Sequence, residues 1–110
     1  MLFPFSVSWM IVDQETLPSR YPAQVLITTS KRKFHHAVDR NRVKRLLRES
    51  HRHQKHLLYT FLTENHLQIV FSVSYIHTEI FKQSTIDKKY SKMMETLKQQ
   101  IESHLGATSL

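Results

Sequence analysis

Cysteine is absent from this chain of 110 residues, which excludes a disulfide framework and a cysteine zinc site. Glycine occurs once and proline three times, which argues against a loop-rich or repeat architecture. The longest apolar runs, MLFPF and VSWMIV, are far shorter than the about 20 residues of a membrane helix, and the opening lacks the basic region of a signal peptide. We therefore expect one domain over residues 1–110, located in the cytoplasm and without a membrane partner.

Acidic residues are scarce in one quarter of the chain. The net charge is +7, yet residues 31–56 carry ten Lys or Arg and only two acids. The other 84 residues carry six bases and seven acids, so they are nearly neutral. This asymmetry predicts one polyanion-binding face rather than a uniformly basic surface.

The pattern of apolar residues predicts a two-layer α/β domain, an α+β sandwich of element order β-β-α-β-α. Strands are expected near residues 5–12, 23–30 and 67–76, the first two joined by a hairpin-type loop. The third strand is almost continuously apolar, which is typical of burial on both faces. A helix is expected over residues 38–56, with Asp39 as its N-cap. Residues 57–66 either continue this helix or form a loop that packs on the core.

The last predicted element is a helix that begins near Ser84. Ser84 and Asp87 resemble a capping box, and Gly106 stands where a C′ glycine belongs. The apolar residues between them follow helical spacing: Ile86, Tyr90, Met93, Met94, Leu97, Ile101 and Leu105.

The helix over residues 38–56 is amphipathic. At about 100° per residue, its core-facing stripe is formed by Val43, Leu46, Leu47, Ser50 and Leu57. The opposite arc carries Asn41, Lys44, Arg45, Arg48, Arg52 and Lys55, with Arg40 and Arg42 at its edges. Side chains at i, i+4 spacing on this face mostly carry like charges and repel each other. Only Arg45 has an acid at that spacing, Glu49.

A charged face of this kind is either simply solvated or built to bind a polyanion. Three features favour the polyanion: the centre of the face lacks acids, arginine outnumbers lysine, and the preceding KRK extends the patch. Arginine forks match phosphate geometry. A nucleic acid is therefore the expected partner, and charge alone does not separate RNA from DNA.

The segment KRKFHHAVDRNRVKRLLRES resembles the signature of the bacterial ribonuclease P protein component. In that family a basic pair follows a strand, and three residues later comes A-V-x-R-N-R-x-K-R-x-x-R-E. The matching residues here are Arg32, Lys33, Ala37, Val38, Arg40, Asn41, Arg42, Lys44, Arg45, Arg48 and Glu49.

The resemblance implies a protein subunit that assists a catalytic RNA in removing 5′ leaders from precursor tRNA. It implies no catalytic residue and no cofactor in the protein, Mg²⁺ with the RNA, and no required protein partner. It also implies a ribosomal-protein-like fold with a left-handed βαβ crossover. The RNA-binding residues expected from the resemblance and the cationic face are Lys31, Arg32, Lys33, Arg40, Asn41, Arg42, Lys44, Arg45, Arg48 and Arg52.

Two departures from the family pattern concern the cleft that holds the leader. Members usually begin with an additional helix, and this sequence is expected to start at the first strand without it. Thr28 and Ser30 are expected to face the cleft, and Phe5 and Trp9 either belong to the core or line the sheet face that the helix would cover. Lys31 and His35 stand where many members have Ser and Gly. Phe34 either packs under the helix start or stacks on a base.

No other constellation in the sequence carries chemistry. The eight histidines do not converge on one ion, because His51, His53 and His56 point in different directions on the helical wheel. We expect them at the surface or next to RNA. Rival interpretations are a ribosomal or other structural RNA-binding protein and a DNA-binding helix in a major groove. A hydrolase in its own right lacks every local motif.

Overall fold

The computed structural model of the protein describes residues 3–12 and 22–108. The predicted β-β-α-β-α order is confirmed. In chain order the elements are β1 (Phe5–Val12), β2 (Ala23–Thr29), α1 (Ala37–Glu64), β3 (Gln68–Tyr75) and α2 (Gln83–Thr108). Buried residues of the strands and of both helices form a single hydrophobic cluster, as expected for a two-layer α+β fold.

The three strands form one sheet with β3 in the centre. β1 pairs with β3 antiparallel, with Phe5 opposite Tyr75, and β2 pairs with β3 parallel, with Ala23 opposite Ile69. The predicted hairpin between the first two strands is therefore wrong, because β3 lies between them; the connecting residues 13–21 lie outside the described residues. A parallel pair needs a crossover connection, which α1 supplies. The left-handed sense of that crossover stays a prediction.

The two faces of the sheet differ in burial. Alternate residues of β3, namely Ile69, Phe71, Val73 and Tyr75, are buried against the helices, whereas Gln68, Val70, Ser72 and Ser74 are only half-buried. The prediction that this strand is buried on both faces is wrong, since the cluster formed with the helices includes only one of the two sets. The sheet thus has an open face.

Helix α1 is longer than the predicted span and continues through residues 57–64. Leu58 and Leu62 hold this extension on the core, being almost fully buried. Leu57, predicted in the core stripe, is instead 70% exposed. The buried positions recur at spacings of three, four and seven residues, and Leu57 lies outside the arc of the helix that they define. The helix ends where His66, at φ 55°, turns the chain and Leu67 N–H donates to the carbonyl of Leu62 (2.9 Å).

The helix ends differ from the predicted caps. His36 is the N-cap of α1, and Asp39 lies in the first turn, where its charge still favours the helix dipole. Helix α2 begins at Gln83, so Ser84 lies inside it and makes no capping box with Asp87. Gly106 also lies inside α2, without a positive φ, because the helix continues to Thr108.

The apolar face predicted for the last helix is confirmed. Ile86, Tyr90, Met93, Met94, Leu97 and Ile101 are buried, and Leu105 is half-buried. Over residues 3–12 and 22–108, neither helix has an apolar stretch long enough to cross a membrane.

Candidate nucleic-acid interface

The N-terminal half of α1 has one buried and one cationic face. Val43 and Leu47 are buried in the core, while Arg42, Arg45 and Arg48 on the other side are exposed. Helical periodicity and core burial therefore place these three guanidinium groups on the outside of the molecule. The amphipathic interpretation of this segment is confirmed.

Three of the predicted RNA-binding cations are engaged within the protein. Lys33 donates to the carbonyl of Ile76. Arg40 donates from Nη1 to the carbonyls of Phe34 (2.8 Å) and His35 (3.0 Å). Arg52 makes two hydrogen bonds to Glu49, of 2.6 and 3.2 Å. Their charges remain part of the patch, but these contacts give Arg40 a positioning role in the fold.

Glu49 is held at the edge of the cationic face. Hydrogen bonds from Arg52 and from His53 (Nε2 to Oε1, 2.8 Å) lower the pKa of Glu49 from 4.5 to about 2. The pairing with Arg45 suggested by the i, i+4 spacing is not formed, because Arg52 and His53 take the carboxylate instead. As a result, the acid does not neutralise the centre of the face.

Six of the predicted RNA-binding cations have no ion pair or hydrogen-bond partner for their charged groups among the residues that the structure describes. They are Lys31, Arg32, Arg42, Lys44, Arg45 and Arg48. Asn41 is exposed beside them. An array of unpaired cations on a rigid helix suits the phosphates of a nucleic acid, since each guanidinium offers two parallel donors to a phosphate.

The basic connector, residues 31–36, is fixed against the start of α1. Phe34 is buried in the core, so of its two predicted roles the packing one is confirmed. Its N–H donates to the carbonyl of Ser30 (3.0 Å), and the N–H of Arg32 donates to Ser30 Oγ (3.1 Å). Together with the Arg40 hydrogen bonds, these contacts hold Lys31 and Arg32 in a tight turn at the end of β2.

The open face of the sheet is lined with hydroxyl groups. Ser8 and Ser72 lie 2.8 Å apart, Thr28 and Ser74 lie 2.6 Å apart, and these pairs bridge neighbouring strands. The apolar side chains of Met10 and Leu26 on the same face are each 60% exposed. Thr28 is therefore on the open face, as the strand alternation predicted.

Phe5 and Trp9 do not line that face. Both residues point to the opposite side of the sheet, because alternate β1 residues face the helices. Phe5 is buried against Tyr75 and Tyr90. Trp9 is half-buried and donates from Nε1 to Gln100 Oε1 on α2 (3.1 Å). Their placement in a leader cleft on the open face is wrong, and their alternative placement with the core is confirmed for Phe5.

His51 is the main residue that sequence reasoning misplaced. It is only 7% exposed, with Nδ1 2.8 Å from Tyr90 Oη and Nε2 3.2 Å from Tyr59 Oη. Burial, with a smaller contribution from the charge of Lys55, lowers the pKa of His51 from 6.5 to about 4. The continuation of the i, i+4 row from Val43 and Leu47 is the sequence signal that would have placed it inside.

A second polar network explains the serine in the core stripe. Ser50 is completely buried, and its hydroxyl donates to Asp87. Gln83 Nε2 donates to Ser50 Oγ (3.1 Å), to Asp87 Oδ1 (3.0 Å) and to the carbonyl of Leu46 (3.1 Å). The polar groups at the α1–α2 contact are thereby satisfied, and α1 is fixed with its cationic face outward.

No group of three or more His, Asp or Glu side chains that could hold a metal ion occurs within residues 3–12 and 22–108.

Comparison with known proteins gives a consistent result. The sequence model of the family described as Ribonuclease P matches residues 5–100. The ribonuclease P protein component of Chlorobium phaeobacteroides is 40% identical over 84 residues, which are 76% of this chain and 55% of that protein. The ribonuclease P protein component of Porphyromonas gingivalis is 33% identical over 72 residues, which are 66% of this chain and 53% of that protein.

A shorter match carries higher identity. The ribonuclease P protein component of Chlorobaculum tepidum is 51% identical over 39 residues, which are 36% of this chain and 25% of that protein. No solved structure matches the chain significantly. The chain spans about half the length of the first two curated relatives.

Proposed function

The chain belongs to the ribonuclease P protein component family, and from this premise we propose that it binds the catalytic RNA of ribonuclease P and assists removal of the 5′ leader from precursor tRNA. The observation that carries the proposal is the array of six unpaired cations on α1 and its connector. It coincides with the segment that resembles the family signature.

The proposed mechanism is electrostatic. Lys31, Arg32, Arg42, Lys44, Arg45 and Arg48 neutralise phosphates of the folded RNA and release its counterions. Because α1 is fixed to α2 through Ser50 and Asp87, the cations are presented on a rigid helix and lose little freedom on binding. The protein supplies no catalytic group in this proposal. Hydrolysis of the phosphodiester belongs to the RNA subunit, with which Mg²⁺ is associated.

The open sheet face is the proposed place for the leader. Thr28, Ser8, Ser72 and Ser74 offer hydroxyl groups, and Met10 and Leu26 offer apolar surface. Hydroxyls hydrogen-bond sugars and phosphates without reading the base sequence, which suits a site that accepts many different leaders. Ser30 lies at the end of this face, beside the basic connector. We place the protein in the cytoplasm, with precursor tRNA.

The decisive experiment is cleavage of precursor tRNA by a bacterial ribonuclease P RNA at low Mg²⁺, with and without the protein. Stimulation by the protein is the expected result, and the variant Arg42→Ala/Arg45→Ala/Arg48→Ala should give none. Tight binding to the ribozyme without stimulation would support the RNA interface on α1 and would refute the proposal that the protein assists removal of the leader. Absence of binding to this RNA, with tight binding to ribosomal RNA, would refute the proposal in favour of a structural RNA-binding protein.

A further inference from the structure

A half-exposed aromatic cluster lies where β1 begins and β3 ends. It consists of Phe3, His77 and Phe81. The ring centroid of His77 is 4.9 Å from that of Phe3 and 4.8 Å from that of Phe81. Phe3 is 46% exposed, and His77 and Phe81 are half-buried. The molecule therefore presents aromatic ring surface to solvent beside its own core.

The cluster rests on a rigid base. The N–H of Ile76 donates to the carbonyl of Pro4 (2.8 Å), which holds Phe3 next to His77. Below them, the hydroxyl of buried Tyr75 donates to the carbonyl of Glu79 (2.6 Å) and accepts from the N–H of Phe81 (3.3 Å). These hydrogen bonds fix the loop between β3 and α2, so the rings are already in place before any ligand arrives.

Two lysines adjoin the cluster, one from the basic connector and one from α2. Lys33 of the basic connector donates to the carbonyl of Ile76, the residue before His77. Lys89 Nζ lies 5.8 Å from the ring centroid of Phe81. A surface cavity of about 440 Å³ separates the connector from the loop, and the acids Asp39 and Glu79 line it together with Lys33. These acids disfavour phosphate inside the cavity, so Lys89 rather than Lys33 is the phosphate contact expected beside the cluster.

We propose that the cluster of Phe3, His77 and Phe81 is a stacking site for an unpaired base of the RNA that the cationic face binds. The inference rests on the proposed RNA-binding function and adds a specific subsite to it. Aromatic rings next to lysines are the usual arrangement by which proteins hold single-stranded RNA, since every base has a π-face that stacks on a ring. Phe3 is the principal stacking ring because it is the most exposed of the three.

The test compares Phe3→Leu, which keeps apolar volume but removes the ring, with Phe3→Tyr, which keeps the ring. The probe is a fluorescent 12-nucleotide single-stranded RNA of mixed sequence, titrated with the full chain at several salt concentrations. We expect Phe3→Leu to weaken binding about 5- to 150-fold and Phe3→Tyr to bind like the wild type. Leu57→Ala, which removes another exposed apolar side chain, should have no effect.

The salt dependence separates stacking from charge. Loss of a stacked base should lower the affinity equally at every salt concentration, so the plot of log affinity against log salt keeps its slope. Equal affinity of the wild type and Phe3→Leu would overturn the inference, even if ribonuclease P RNA binds through the cationic face. Ring-dependent binding of the 12-nucleotide RNA would support the stacking site, even if precursor-tRNA cleavage is not stimulated.

Discussion

Removal of the three central arginines of α1 should change how RNA binding depends on salt. Arg42, Arg45 and Arg48 are exposed and make no ion pair with any described residue. The variant Arg42→Ala/Arg45→Ala/Arg48→Ala therefore removes half of the six unpaired cations without breaking a contact within the protein. Its effect should appear in RNA binding and not in folding.

The expected magnitude follows from counterion release. Each phosphate contact contributes about 0.7 to 0.9 to the slope of log affinity against log salt. Six contacts predict a slope of about −4 to −5, so the wild type should lose roughly 300- to 2,000-fold in affinity between about 50 and 200 mM salt. Three contacts predict a slope of about −2 to −3 and a loss of roughly 20- to 40-fold.

The assay is filter binding or fluorescence anisotropy with a bacterial ribonuclease P RNA over this salt range. Lys88→Ala/Lys92→Ala/Lys98→Ala is the matched control, because it removes the same formal charge from exposed positions of α2. Equal slopes for both triple variants, or a flat response of the wild type, would refute the assignment of the interface to α1. The free energy of unfolding of the arginine variant should lie within about 0.5 kcal/mol of the wild-type value or exceed it, because like charges on α1 no longer repel each other.

Three further predictions concern the fold that carries the interface. The lowered pKa of His51 means that the unfolded chain binds more protons between pH 6.5 and 4. The contribution of neutral His51 to the free energy of unfolding is therefore complete above pH 6.5, and about 2 to 3 kcal/mol of it is lost as the pH falls towards 4. In urea unfolding, the variant His51→Gln should show little of this pH dependence between pH 6.5 and 4.5. Arg40→Ala should lower the free energy of unfolding by about 1 to 3 kcal/mol through loss of its two carbonyl contacts, and Arg40→Lys should not restore both; a loss as small as that of Arg42→Ala in urea unfolding would contradict the positioning role. Leu47→Ala should cost about 2 to 5 kcal/mol in the same assay, whereas Leu57→Ala at an exposed position should cost less than about 0.5 kcal/mol, and equal losses would contradict the described orientation of α1.

Both buried polar networks lie between α1 and α2. His51 on α1 bonds Tyr90 on α2, and Ser50 on α1 bonds Asp87 and Gln83 on α2, across 33 to 39 positions of the chain. Replacing one partner leaves another buried polar group unsatisfied, which costs more than the hydrogen bond itself contributes. We therefore expect substitutions at these positions to alter RNA binding indirectly, through the orientation of α1, although none of them belongs to the cationic face.

The cationic face could be predicted from the sequence because it depends on local order alone. Helical periodicity places Arg42, Arg45 and Arg48 on one side and Val43 and Leu47 on the other, whatever the helix packs against. The strand alternation that put Thr28 on the open face is likewise a property of the backbone. The resemblance of residues 31–50 to a family signature also needed only residue types and spacing.

Tertiary structure decided the features that depend on distant partners. Lys33 is engaged because the carbonyl of Ile76, just after β3, lies within its reach across 43 positions of the chain. β3 separates the first two strands, although it follows them in the chain by a whole helix.

Local pattern determined the cationic face of α1 and the apolar face of α2. Only the assembled fold brought Phe3 beside His77 and Phe81, across more than 70 positions of sequence, and put His51 among tyrosines of both helices. The physical reason is that periodicity follows from the backbone geometry of one element, whereas burial and side-chain pairing depend on what the other elements place next to it.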